Sequence, residues 1–269
     1  MVDGGSNTPN YYNLYGKKNH LIPTNYDVLY ATPSPDGRSF ALEVFGGITL
    51  GSAIWQIGLS GNFMGIIQDE GAHSQIDGKP FVTDYEGHTV YEGNPIWSPD
   101  GKKILYQTFV YYNGRRRDYH LWQLDLEKGN QVLIDRGFTP NISRNGKRIV
   151  YSKVISESNG RLNWDIWEYS LEPKKRVKRL TTSRAKEQYP SWAYIHGKEY
   201  ILYSAKQSGY YDIWKMEKDG TNPTPITFIG AEQKTDALGA MASPDGKKIV
   251  FWSVETGPGG IEMNEKIWI

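Results

Sequence analysis

The chain has 269 residues, 38% of them hydrophobic, and Lys+Arg 31 against Asp+Glu 30 leaves a formal charge of +1. That length can bury the core of one all-β domain, and the balanced charge leaves no global field to attract nucleic acid or an anionic membrane. No apolar run approaches the roughly eighteen residues a transmembrane helix needs, and the absence of Cys removes disulfides, zinc thiolates and cysteine nucleophiles together.

The opening MVDGGSNTPN is too polar for a signal peptide, so residues 1–16 read as a flexible leader and residues 17–269 as one domain. The first predicted strand is KKNHLIPT, residues 17–24, which stands alone. An internal repeat then takes over. Its landmark is a tight turn ending in Gly, in TPSPDGRSFAL, IWSPDGKKILY, NISRNGKRIVY, SWAYIHGKEYILY and AMASPDGKKIVF. The glycines are Gly37, Gly101, Gly146, Gly197 and Gly246, at intervals of 64, 45, 51 and 49 residues.

Each unit has one grammar. An apolar strand a enters the turn, where Pro-Asp-Gly suits a type I hairpin with Gly in the left-handed position. A β-rich strand b follows, such as Ile104-Leu105-Tyr106, and its branched and aromatic residues fit a sheet buried on both faces. After a variable loop comes strand c with an aliphatic residue and Trp, at Trp55, Trp122, Trp167, Trp214 and Trp268. A last strand d, such as QVLID or PITFI, closes the unit. The fifth unit ends at strand c. The expected fold is therefore a five-bladed β-propeller of four-stranded antiparallel blades, with residues 17–24 completing the C-terminal blade and closing the ring.

The unit PIWSPDGKKILYQTF…HLWQLDLEKGNQVLI resembles the WD-like repeat of TolB-type β-propellers, over residues 18 to 269. The turns SRNG and YIHG, and Ala242 where the second unit has Trp97, depart from that pattern. The resemblance implies an extracytoplasmic setting and a protein partner.

Several residues carry candidate function. Loops b-to-c and d-to-a lie at one end of every blade, the loop end, and these loops are the long ones. They hold Tyr111, Tyr112, Arg116, Tyr119, Trp164 and Tyr210, aromatics beside polar groups that suit a partner chain or a sugar face, or else cover the ends of their own blades. An acid precedes each strand a, at Asp27, Glu92, Asp135, Glu187 and Asp236, and a ring of these at a channel mouth could hold a cation such as calcium. The competing reading gives each acid to local backbone donors. The insertion at residues 70–94 carries His73, Asp77, Asp84, Glu86 and His88, an unspecific metal set, and reads as a hairpin lid.

No G-x-S-x-G elbow, H-E-x-x-H or Walker loop is present, and the predicted inner strands carry no acid. The expected function is a non-catalytic, monomeric recognition module for a protein segment or glycan. The alternative is a carbohydrate-active enzyme using the mouth carboxylates.

Overall fold

Four of the five Gly turns fold around the same hydrogen bonds. Ser34, Ser98, Ser143 and Ser243 donate their hydroxyls to Asp36, Asp100, Asn145 and Asp245 at 2.5–2.8 Å. The same acceptors take the backbone N–H of Arg38, Lys102, Lys147 and Lys247 at 3.0–3.1 Å. These bonds hold the carboxyls of Asp36, Asp100 and Asp245 below their usual range, the serine hydroxyl being the largest cause. The turn acids are thus structural. In the fourth blade, His196 (φ 48) and Gly197 (φ 80) form a two-residue loop between the paired Ile195 and Lys198, where two successive left-handed residues match the strand twist.

The computed structural model describes residues 10–12, 18–20, 26–46, 52–59, 63–68, 75–76, 79–80, 89–112, 115–156, 160–171, 174–256 and 262–269. The fold is a five-bladed β-propeller, its blades divided between two compact units.

The first unit, Met1–Arg136, begins with a hairpin of β1 (Asn10–Tyr12) and β2 (Lys18–His20). Its first blade runs β3 (Tyr26–Pro33), β4 (Ser39–Gly46), β5 (Ser52–Gly58) and β6 (Phe63–Gln68). Within the insertion, β7 (Gln75–Ile76) pairs with β8 (Lys79–Pro80). The second blade is β9 (Thr89–Trp97), β10 (Lys103–Tyr112), β11 (Arg115–Asp125) and β12 (Gln131–Arg136).

The second unit, Gly137–Ile269, holds three blades. The third blade is β13 (Phe138–Ile142), β14 (Arg148–Ser156), β15 (Leu162–Ser170) and β16 (Arg176–Arg179). The fourth is β17 (Lys186–Ile195), β18 (Lys198–Lys206), β19 (Tyr211–Glu217) and β20 (Thr224–Pro225), followed by the short helix α1 (Ile229–Gln233). The fifth has three strands, β21 (Thr235–Ala242), β22 (Ile249–Thr256) and β23 (Glu262–Trp268). Lys18–His20, expected as its fourth strand, pairs with Asn10–Tyr12. Among the described residues β23 pairs with β22 alone, so the pairings do not show closure by residues 17–24.

The repeat is kept at the level of single residues. Trp55, Trp122, Trp167, Trp214 and Trp268 lie opposite Leu42, Tyr106, Tyr151, Tyr203 and Phe251, the same point of strand b in all five blades. Strand b supplies the core: Ile104, Tyr106, Ile149, Tyr151 and Ile201 are fully buried. Each such side chain contributes about 1.5–3 kcal/mol of hydrophobic stabilisation.

Strand a carries a bulge in every blade, one extra residue that bends it. In the last four blades a left-handed residue sits there: Asn94, Thr139, Tyr189 and Gly239. The bulge also ties neighbouring blades inside each unit. Asn94 N–H donates to the buried Glu43 carboxylate at 2.9 Å, and Gly239 N–H donates to Ser204 Oγ at 3.2 Å. Glu43 and Ser204 are each the residue after the one opposite Trp, so one position performs the same task in both units.

Candidate binding site at the loop end of the third and fourth blades

Strand c of the third and fourth blades reads Asp-Ile-Trp, and both aspartates are buried: Asp165 is 0% and Asp212 is 8% exposed. A threonine follows strand d in each of these blades. Thr181 Oγ1 accepts from Ile166 N–H at 2.9 Å, and Thr227 Oγ1 accepts from Ile213 N–H at 2.9 Å. Thr227 then donates to Asp212 Oδ1 at 2.9 Å, and Gly230 N–H reaches the same oxygen at 3.1 Å. In the fourth blade the Asp212–Thr227 pair therefore clasps strand c to the connection leading into the next blade, and in the third the threonine hydroxyl holds the strand through Ile166 N–H.

At Asp165 the clasp is elaborated into a buried polar cluster. Arg179 Nη2 lies 2.7 Å from Asp165 Oδ2. Asn163, also fully buried, donates through Nδ2 to Ser183 O at 2.8 Å and to Asp165 Oδ1 at 3.3 Å. Ser183 Oγ in turn donates to Glu187 Oε1 at 2.8 Å. Glu187 Oε2 and Asn163 Oδ1 have no hydrogen-bond partner among the described residues. Burial raises the Glu187 carboxyl above its ordinary value and Asp165 adds to the rise, while the Thr181 and Ser183 hydroxyls and Arg179 oppose it. Burial and the charge of Glu187 likewise push the Tyr203 phenol up.

Of the six residues expected in the b-to-c loops, Tyr111, Tyr112, Arg116, Tyr119 and Trp164 lie on strands instead, and Tyr210 directly before one. Tyr111 and Tyr112 end β10, and Tyr111 is opposite Arg116 of β11; their side chains lie outside the described residues. Tyr119 is half-buried and packs on Phe109 at 6.3 Å between ring centres. Trp164 is half-buried beside the cluster, with Lys186 Nζ 3.9 Å from its ring centre. Tyr210 directly precedes β19 and is half-buried against Gly230, where a Cβ would come 3.0 Å from its own Cβ. Its neighbour Tyr211 has a phenol pushed up to about 12 by burial first and by Asp236 second.

The five acids do not share one register. Glu92 and Glu187, 1% and 2% exposed, pair with strand b two positions after the residue opposite Trp. Asp27 and Asp236 pair three positions after it. Asp135 is not in strand a at all: it belongs to β12, the last strand of the second blade, opposite Leu121. Asp236 Oδ1 accepts Tyr211 N–H at 2.7 Å, and Asp135 Oδ1 accepts Arg136 N–H at 2.8 Å. The side chain of Asp27 lies outside the described residues, as do His73, Asp77, Asp84, Glu86 and His88. Among the described residues no three His, Asp or Glu converge as metal ligands.

Asn163, Asp165, Arg179 and Ser183 were not singled out by the repeat alone. The signal was there in the recurrence of Asp-Ile-Trp followed, twelve or thirteen residues on, by an aliphatic-Thr pair in RLTTS and PITFI.

Solved structures share this architecture. A protein designated TolB from Agrobacterium tumefaciens matches with a TM-score of 0.62 at 20% identity, over 91% of this chain and 76% of that one. The two share the β-propeller fold. An oligogalacturonate lyase from Vibrio parahaemolyticus gives 0.59 at 12% identity, over 97% and 68% of the two chains. The β-propeller domain of the Trilobed protease from Pyrococcus furiosus, described as having an open velcro topology, gives 0.55 at 10%, over 94% and 70%. At these identities the likeness is one of fold. No family model matches the chain, and no curated protein sequence does. Among the described residues no helix is long and apolar enough to cross a membrane.

Proposed function

We propose that this propeller is an extracytoplasmic recognition module that binds a segment of a protein partner at the loop end of its second unit, through Trp164 and Tyr210, with Tyr111, Tyr112, Arg116 and Tyr119 forming a separate contact in the first unit. The observation that carries this reading is the engagement of the loop-end carboxylates of the second unit. Asp165 is tied to Arg179, Asp212 to Thr227 and Gly230, Asp236 to Tyr211 N–H, and Glu187 to Ser183. A glycosidase or lyase needs carboxylates or bases that face a substrate, whereas these stabilise strand connections.

A protein segment is favoured over a glycan by the state of Trp164. A sugar ring stacks on an open aromatic face, and Lys186 already lies 3.9 Å over this one. A peptide carboxylate meeting Lys186, beside the tryptophan edge, uses both groups as they stand.

The test is selection of displayed random octapeptides on the whole protein, with a glycan array and a reducing-sugar assay run beside it. Peptides whose capture falls about fivefold or more with Trp164→Ala, in a variant that melts like the parent, support the reading. Glycan capture without peptide capture, or sugar release lost in Glu187→Gln, would replace it with the carbohydrate reading.

A further inference from the structure

The opposite end of the blades, where the a–b turns lie, holds a cleft that the loop-end reading does not use. It has a volume of about 330 Å³ and is formed within the second unit by the turns of the third, fourth and fifth blades. Its walls include Arg144 from the third blade, Trp192, Tyr194 and Glu199 from the fourth, and Ala242 and Pro244 from the fifth. We propose that this cleft binds an extended acidic peptide of a partner protein, with a carboxylate on Arg144 and an aliphatic or proline side chain against Tyr194 and Pro244.

The two guanidinium groups at the cleft play different parts. Arg148 is committed to the wall: its guanidinium lies 4.3 Å from the Trp192 ring centre, with Nη2 2.7 Å from Glu199 Oε2 and Nη1 3.6 Å from Glu168 Oε2. Lys218 adds a second contact to Glu199 at 3.8 Å. Arg144 is exposed, stands 5.5 Å from the Tyr194 ring centre, and makes no ion pair among the described residues. Its planar fork is free to take a carboxylate through two parallel bonds.

Charge and shape select the ligand. Lys147, Lys198, Lys247 and Lys248 are exposed in the turns and strand starts that carry the lining residues, while Glu199 is already paired and Asp245 is held within its own turn. The surplus is positive, which selects an anionic partner. Stacking of a sugar is disfavoured, because a guanidinium lies over the Trp192 ring and another near that of Tyr194. Tyr194 is nevertheless 43% exposed, a rigid aromatic anchor of the kind that dominates peptide recognition. The cleft is also pre-formed. Gly246 is buried with φ 69, and a Cβ there would collide with the Tyr194 carbonyl oxygen, so the fifth-blade turn is packed directly against the fourth. A cleft of several hundred cubic ångströms with little to reorganise holds a few side chains at low entropic cost.

Random octapeptides displayed against the whole protein carrying Trp164→Ala, in which the loop-end anchor is gone, decide the matter, so that the captured pool reports this site alone. The expected pool is enriched in Asp or Glu one to three residues from Pro, Leu or Val. Its capture should fall about tenfold in Arg144→Ala and in Tyr194→Ala, be only partly restored in Arg144→Lys, and weaken as salt rises. Lys102→Ala, in the turn of the second blade, should leave it unchanged, as should restoring Trp164. A pool without acidic enrichment, no enriched pool at all, or equal capture by Arg144→Ala would overturn the proposal. Capture by single-stranded oligonucleotide in place of peptide would do so too, showing a general polyanion surface.

Discussion

Removing Arg179 tests whether the cluster at the third and fourth blades is a structural clasp. Asp165 is 0% exposed, and Arg179 Nη2 is its charge partner at 2.7 Å. In Arg179→Ala the carboxylate would keep Asn163 Nδ2 at 3.3 Å as a neutral donor. Stranding a buried charge typically costs about 3–5 kcal/mol. The Arg179 side chain is 33% exposed, so water can enter when it is truncated, and the working figure drops to about 2–4 kcal/mol. Urea unfolding followed by tryptophan fluorescence reads this as a lower midpoint at an unchanged slope. Arg179→Ala combined with Asp165→Asn should recover at least half of the loss, because the amide carries no charge to desolvate. A single variant within about 1 kcal/mol of the parent, or a double variant no better than the single, would show that the pair does not hold the blades.

Three further outcomes are expected. Burial raises the Glu187 carboxyl above its ordinary value, so its stabilising contribution is full below that value and is lost as pH rises through the folded one; Glu187→Gln should therefore gain on the parent as pH rises from the ordinary carboxylate range, and a variant that loses ground in that direction would contradict the burial argument. If residues 17–24 add a strand to β23, deletion of the first 24 residues lowers the melting temperature while deletion of the first 10 does not, and equal midpoints reject the added strand. Replacing Tyr111, Tyr112 or Trp164 with Ala should weaken loop-end peptide binding by at least about 1 kcal/mol with little effect on folding; destabilisation of core size, read by calorimetry, would make them packing residues.

The blades were legible because a repeat averages away local ambiguity. One aliphatic-Trp dipeptide says little, but five, each 17 to 22 residues after a Gly turn, mark strand c in every unit, and Trp55 through Trp268 all pair at the same point of strand b. Spacing to the turn does not register residues across the bulge, since one extra residue there shifts everything before it. Asp135 accordingly falls in β12, and Asp27 and Asp236 lie one step from the register of Glu92 and Glu187. A bulge signal was present, because Asn94, Thr139 and Tyr189 each precede a proline, in NPIW, TPNI and YPSW. The pairing of Asp165 with Arg179 was beyond reach, since strand d and strand c meet there through a contact that no spacing specifies.

The clasp is not distributed evenly, and that sets an order of opening. The position held by Asp165 and Asp212 is occupied by His120 in the second blade and by Lys266 in the fifth, each two residues before its Trp. Lys266 is exposed and meets Glu255 at the surface, 3.2 Å away. Among the described residues, strand β23 is held by its ladder to β22, by Trp268 Nε1 donating to Ser253 Oγ at 2.8 Å, and by a stacked Phe251 ring. Regions so tethered open at free energies well below the global value. Backbone amides of β23 should exchange with deuterium first within the second unit and those of β18 last, so that thermal fluctuation frees β23 while the clasped third and fourth blades stay shut.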